Sequence, residues 1–155
     1  MTVLVCRALM DNNITISVAE SFTGGGISSE LVAHPGISGV FLCGTVAYTD
    51  EAKICRLNVE RSIIETYGAV SAECAAAMAE GARSIMGSDI GLSSTGFAGP
   101  GGGTAEAPVG TAFIGFADSK HSYAVRYTFA GSREDITRQG IEAAFSVLWQ
   151  ELRKS

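Results

Sequence analysis

Ser21, Tyr48 and Lys53 are residues in the first half of the chain whose types suit acyl transfer. A serine hydroxyl is a weak nucleophile until a base takes its proton. Neither histidine is well placed for that task. His34 precedes Pro35 at a helix end, and His121 follows the turn Asp118-Ser119-Lys120. A neutral lysine or a tyrosinate is then the chemically reasonable base, and a lysine needs burial or a nearby cation to lower its pKa. Ser21 lies in Ala19-Glu20-Ser21-Phe22-Thr23-Gly24-Gly25-Gly26. Glycines there allow close backbone approach to a ligand, and the helix that follows offers unpaired N–H groups at its first turn. Such groups can stabilise the negative charge that develops on an attacked carbonyl. Structural alternatives stand beside each residue. Ser21 or Thr23 could be the N-cap of that helix. Lys53 could pair with Asp50 or Glu51 on a helix surface, and Tyr48 could be a rim aromatic with a solvated hydroxyl.

A second group is Thr95-Gly96-Phe97-Ala98-Gly99-Pro100-Gly101-Gly102-Gly103-Thr104. It matches neither the P-loop pattern G-x-x-x-x-G-K-[ST] nor the dinucleotide fingerprint G-x-G-x-x-G. Successive glycine N–H groups can still form a nest for a phosphate. A long loop inside a compact domain is more often functional or mobile than idle. Arg133 and Arg138 follow near the start of the last helix, where spacing alone favours a solvated face.

The elements that must position these residues can be read from periodicity and punctuation. Thr2 to Met10 reads as a short helix with Val3, Leu4, Cys6, Ala8 and Leu9 available to pack. Ile14 to Ala19 alternates with period two and reads as a strand. Ile27 to His34 reads as a helix ended by Pro35-Gly36. Gly39 to Tyr48 is apolar throughout and reads as a strand buried on both faces. Thr49 is an expected N-cap, with Asp50 and Glu51 in the first turn of a short helix that carries Lys53. Glu60 to Tyr67 is a further helix, and Ser71 caps an alanine-rich one over Ala72–Met86 that stops at Gly87. Its small side chains suggest close packing on a sheet or another helix. Asp89 to Thr95 reads as a buried strand. Val109–Ala117 and Ser122–Phe129 read as a β-hairpin. Ser132 caps a last helix whose core stripe is Ile141, Ala144, Phe145, Leu148, Trp149 and Leu152. This alternation implies an α/β fold, with a mixed sheet covered on both faces. If the strands before Ser21 and through Tyr48 are parallel neighbours, their C-terminal ends share the sheet edge where such folds bind ligands.

The 155 residues suit one domain spanning 1–155, and 46% of them are hydrophobic, enough for a substantial core. Only 17% are charged, which suggests extensive covered surface and a homodimer. The net charge of −5, without a basic cluster, argues against duplex nucleic acid as a partner. No apolar run is long enough for a membrane span, and Met1–Met10 lacks a signal-peptide pattern. Cys6, Cys43, Cys55 and Cys74 show no C-x-x-C spacing and read as free thiols of a cytoplasmic protein.

Six segments together carry a family resemblance: AESFTGG (19–25), VAYTDEAK (46–53), YGAVSAE (67–73), STGFAGPGGGT (94–104), PVGT (108–111) and GSREDITR (131–138). In order and spacing they resemble the CinA C-terminal domain family, the nicotinamide-nucleotide amidohydrolases, in a stand-alone form without the family's N-terminal domain. The resemblance implies a three-layer α/β/α sandwich. It implies hydrolysis of the carboxamide of nicotinamide mononucleotide to nicotinic acid mononucleotide and ammonia, a step of pyridine nucleotide salvage. Ser21 is then the nucleophile, Lys53 the general base, and Tyr48 assists proton transfer, with neither metal nor cofactor. Thr23, Gly24 and Gly25 are expected to form the oxyanion and ligand cradle, with Glu20 as an orienting group. Thr95, Gly96, Gly99, Gly101, Gly102, Arg133 and Arg138 complete the expected substrate-binding set, the arginines contacting ligand or subunit. Phe22 stands where the family commonly has Cys, and Phe97 where a smaller aliphatic residue is usual. The rival expectations are a non-catalytic domain that binds pyridine nucleotides, and an amidase for a different substrate.

Overall fold

The computed structural model describes residues 1–154. Its elements are α1 (Thr2–Asp11), β1 (Ile16–Glu20), α2 (Gly26–Val32), β2 (Phe41–Val46), α3 (Asp50–Leu57), α4 (Arg61–Tyr67), α5 (Ala72–Met86), β3 (Ile90–Gly96), β4 (Thr111–Ala117), β5 (Ser122–Thr128) and α6 (Arg133–Leu152). The five strands form one sheet in the order β2-β1-β3-β4-β5. β2, β1 and β3 run parallel, and β4 and β5 return antiparallel. This is the mixed α/β sheet expected from the alternation of elements.

Period-two alternation in the strands divides the core. Ile16 and Val18 of β1, Ile90 and Leu92 of β3, and Ile114 and Phe116 of β4 pack with Val5 and Leu9 of α1, Ile27 and Leu31 of α2, and Phe145 and Leu148 of α6. On the opposite face Ala19 joins Leu57 of α3 and Cys74, Met78 and Ala82 of α5. The alanine-rich α5 lies so close to the sheet that a Cβ at Gly91 would be 1.9 Å from the Ala79 carbonyl oxygen, and one at Gly115 would be 2.3 Å from that of Ala75. Ser93 uses this proximity by donating to the Ala75 carbonyl at 2.6 Å. The last helix buries Ala144, Phe145 and Leu148, while Ile141, Trp149 and Leu152 flank the core half-buried.

Two expectations are corrected. β2 is not buried on both faces. It is the edge strand, and Leu42 and Val46 remain 39% and 51% exposed. Hydrophobicity alone did not distinguish an edge from a centre, because that depends on strand order. In α1 the buried residues are Val5, Cys6 and Leu9, whereas Val3 and Leu4 point to solvent. Among the described residues no helix is long and apolar enough to cross a membrane.

The order of the sheet creates the site. The chain passes from β1 through α2 to β2 on one side, then through α3, α4 and α5 back across to β3 on the other. β1 is therefore the switch point, and open α/β sheets bind ligands in the crevice beyond the strand ends at such a point. Ser21 directly follows β1, Tyr48 follows β2, and the glycine-rich loop follows β3.

Candidate active site

Glu20, the last residue of β1, organises the turn that carries Ser21. It is fully buried. One carboxylate oxygen accepts from the Thr23 hydroxyl at 2.6 Å and from the amides of Gly25 at 3.2 Å and Ile27 at 2.9 Å. The other accepts from the Ser28 amide at 2.8 Å and its hydroxyl at 2.7 Å. A carboxylate at a helix N-terminus satisfies unpaired donors and complements the dipole. Glu20 thus performs the capping that Ser21 or Thr23 was expected to offer, and it is turned away from the cleft. The Thr23 hydroxyl also bonds Ser94 at 2.6 Å, which leaves it committed within the turn.

Ser21 is thereby free. Its amide donates to the Ser94 carbonyl at 3.0 Å, which holds the turn to β3. The Gly24 amide donates to the Ser21 carbonyl at 3.1 Å and closes a tight turn over Phe22 and Thr23. The amides of those two central residues donate to no protein acceptor among the described residues. The turn amides without a protein acceptor among the described residues are therefore those of Phe22 and Thr23. The Gly24 and Gly25 amides are occupied within the turn.

Lys53 reaches this turn from α3. Thr49 caps that helix by accepting from the Ala52 amide at 3.1 Å. The lysine is 2% exposed and makes no ion pair with Asp50 or Glu51, so the surface-lysine reading fails. Glu51 turns outward to a bidentate pairing with Arg61. Lys53 Nζ lies 3.1 Å from Ser21 Oγ, 3.2 Å from the Ala47 carbonyl and 3.5 Å from the Tyr48 carbonyl. A neutral amine has two hydrogens and one lone pair. Two carbonyls and one hydroxyl around Nζ match that inventory. As an ammonium Nζ donates to all three oxygens; once neutral it keeps two hydrogens for the carbonyls and has its lone pair for the serine proton. Burial lowers the Lys53 pKa, opposed by Cys74 and Asp50. Cys74 is itself pushed up to about 11, chiefly by burial, with Lys53 acting in the opposite sense.

Tyr48 reaches Lys53 through its carbonyl rather than its phenol. Tyr48 is 62% exposed, and the phenol oxygen accepts from Arg133 at 3.4 Å. Arg133 also donates to the Gly99 carbonyl at 2.7 Å and so ties α6 to the glycine-rich loop. Ser21, Tyr48, Lys53, Thr95, Gly96, Gly99, Gly101 and Arg133 all line one cleft of about 300 Å³. Glu20, Thr23, Gly24, Gly25, Gly102 and Arg138 do not line it. Arg138 pairs with Asp135 and Glu142 on the helix surface. It faces a larger groove of about 1140 Å³ between α1, α2 and α6, which contains no nucleophile and base in contact.

The cleft also includes residues that the sequence did not mark as site residues. Asp50 lines it, although its sequence signal was that of a first-turn helix acid. Ala69, Val70 and Ala98 form apolar wall and carried no signal. Phe22 borders the cleft, but its ring is 7% exposed and packs with Ala98, Ala112 and Ile136. A Cβ on Gly140 would sit 2.3 Å from Phe22 Cζ, so α6 makes room for the ring. Phe97 is the aromatic that faces the cleft from the loop, with Gly102 beside it.

The family model of the CinA C-terminal domain matches residues 1–152. A competence-damage inducible protein of Clostridium novyi is 44% identical over 146 residues, covering 94% of this chain and 35% of its own length. One from Clostridium perfringens is 42% identical over 151 residues, covering 97% and 37%. The chain therefore spans about a third of the length of these relatives. Among solved structures, competence damage-inducible protein A from Klebsiella pneumoniae superposes with a TM-score of 0.94 at 31% identity, covering 98% of this chain and 94% of that one. A CinA superfamily protein from Escherichia coli gives 0.92 at 32% identity, covering 96% and 87%. The six motif segments, the sheet order and these likenesses agree: the chain belongs to the CinA C-terminal domain family.

Proposed function

We propose that the cleft hydrolyses the carboxamide of nicotinamide mononucleotide to nicotinic acid mononucleotide and ammonia. The observation that carries this reading is the contact between two buried groups, Lys53 Nζ and Ser21 Oγ, at 3.1 Å. Lys53 takes the Ser21 proton as Oγ bonds to the carboxamide carbon. The oxyanion is held by the Phe22 and Thr23 amides. The lysine ammonium returns its proton to the departing nitrogen, the C–N bond breaks, and ammonia leaves an acyl ester on Ser21. Water, deprotonated by Lys53, attacks that ester. The carboxylate departs and Ser21 regains its proton. The Tyr48 phenol assists at the mouth of the cleft as the relay for that same lysine proton, its oxygen accepting it as its own hydrogen passes to the leaving nitrogen. Arg133 and the free amides of Ala98, Gly99 and Gly101 suit the phosphate. The volume of the cleft is at the low end for small-molecule sites, which favours a mononucleotide over a dinucleotide.

The test is ammonia release from nicotinamide mononucleotide by wild type and Ser21→Ala. Wild type should turn over, and the variant should lose at least ~10²-fold. Equal rates would refute the serine mechanism. A panel with the riboside, free nicotinamide and the dinucleotide identifies an amidase of different substrate. Binding without ammonia release identifies a non-catalytic nucleotide-binding domain. We also propose that two copies pair along β2, whose outer backbone edge is unpaired and carries exposed Leu42 and Val46.

A further inference from the structure

The charge arrangement in the cleft has one member that the acyl-transfer machinery does not use. Among the described residues that line the cleft, Asp50 is the only acidic side chain. It makes no hydrogen bond or ion pair with any described residue, while its neighbour Glu51 is bound by Arg61. Capping of α3 does not require it, because Thr49 already accepts from the helix N-terminus. It is one helical turn before Lys53 on the same face. Its field opposes the burial that lowers the Lys53 pKa. The other groups facing Lys53 are the Cys74 thiol from α5, kept neutral by burial, the Ser21 hydroxyl from the β1 turn, and the carbonyls of Ala47 and Tyr48. Arg133 stands on the α6 side of the cleft, bound to Gly99 and Tyr48.

We propose that Asp50 is a specificity-determining residue that selects the cationic pyridinium ring of the substrate. This rests on the deamidase reading and names the chemical feature that the same site recognises. A ring cation beside Asp50 pairs with the carboxylate and cancels its field at Lys53. The substrate then favours the neutral lysine that takes the Ser21 proton. A mononucleotide with an uncharged aromatic carboxamide of the same shape gains neither effect. Arg133 and Asp50 together suit a ligand that is anionic at one end and cationic at the other.

The test uses the 155-residue chain carrying Ser21→Ala, with and without Asp50→Asn, so that binding is read without turnover. Calorimetry compares nicotinamide mononucleotide with its neutral benzamide analogue. Asp50→Asn should weaken binding of the charged ring roughly 3- to 10-fold and leave the neutral ring unchanged. The same substitution in the active enzyme should lower the pKa seen in the kcat/KM profile, because the field of the carboxylate at Lys53 is lost. Equal weakening of both ligands, no weakening of either, or binding of neither overturns the proposal. Absent ammonia release by wild type would sink the deamidase reading, and the ring-charge preference is still measured in the Ser21→Ala protein.

Discussion

At the residue scale the central feature is a lysine buried to 2% exposure with two carbonyls and a hydroxyl around its nitrogen. Burial pulls its folded-state pKa below the ordinary 10.5. The proposed mechanism needs the neutral amine, so kcat/KM should rise with pH through that lowered value and level off above it. A pH–rate profile flat across the whole range would remove Lys53 as base. Stability follows the same titration. Between the lowered folded pKa and the unfolded 10.5, the unfolded chain holds a proton that the folded chain has lost, so stability rises with pH in that window. Below it the cost of burying the lysine is constant. Tyr48 has two separable parts. Tyr48→Phe keeps the carbonyl that orients Lys53 and deletes the phenol, so a drop in kcat of roughly 10²-fold measures proton relay by the hydroxyl. An unchanged kcat would reduce Tyr48 to its carbonyl.

At the element scale, α3 must be placed accurately, because it brings Lys53 to a serine that follows a different strand. Its C-terminal end rests on α5 at Gly81, where a Cβ would be 1.9 Å from the Leu57 carbonyl oxygen. The obstacle is backbone, so it cannot rotate away. Gly81→Ala should therefore push α3 off α5, cost about 1–3 kcal/mol in urea unfolding, and lower kcat by misplacing Lys53. Wild-type stability and turnover in that variant would show that the helix pair tolerates the shift. The β1–α2 turn is held differently. Glu20 gathers three amides and two hydroxyls, so the glycines serve the bend while the acid supplies its cohesion.

At the scale of the whole molecule, the sheet ends at β2 on one side, with an unpaired backbone edge and exposed Leu42 and Val46. Such edges are templates for pairing, and a lysine placed on them blocks it. Sedimentation should give a dimer for wild type and a monomer for Val46→Lys. A wild-type monomer at the highest usable concentration would dispose of the pairing. Val46 lies two residues before Tyr48, so dimer formation would cover apolar surface near the mouth of the cleft.

Much of this was legible in the order of residues. Strands and helices announced themselves by their periods, Thr49, Ser71 and Ser132 cap the helices expected of them, and the α5 alanines anticipated its close seat on the sheet. The motifs around Ser21, Tyr48 and Lys53 marked the segments that meet in the cleft, because local hydrogen bonding and side-chain size are written in short stretches. What needed the tertiary structure was direction and neighbourhood. Glu20 became an internal clamp and Arg138 a surface ion-pair member, Tyr48 touched Lys53 through its carbonyl, and Asp50 entered the cleft. β2 became an edge because strand order depends on crossovers spanning most of the chain. The separation of Ser21 and Lys53 is set in the same way, by three elements packing at one sheet edge, and no spacing along the sequence encodes it.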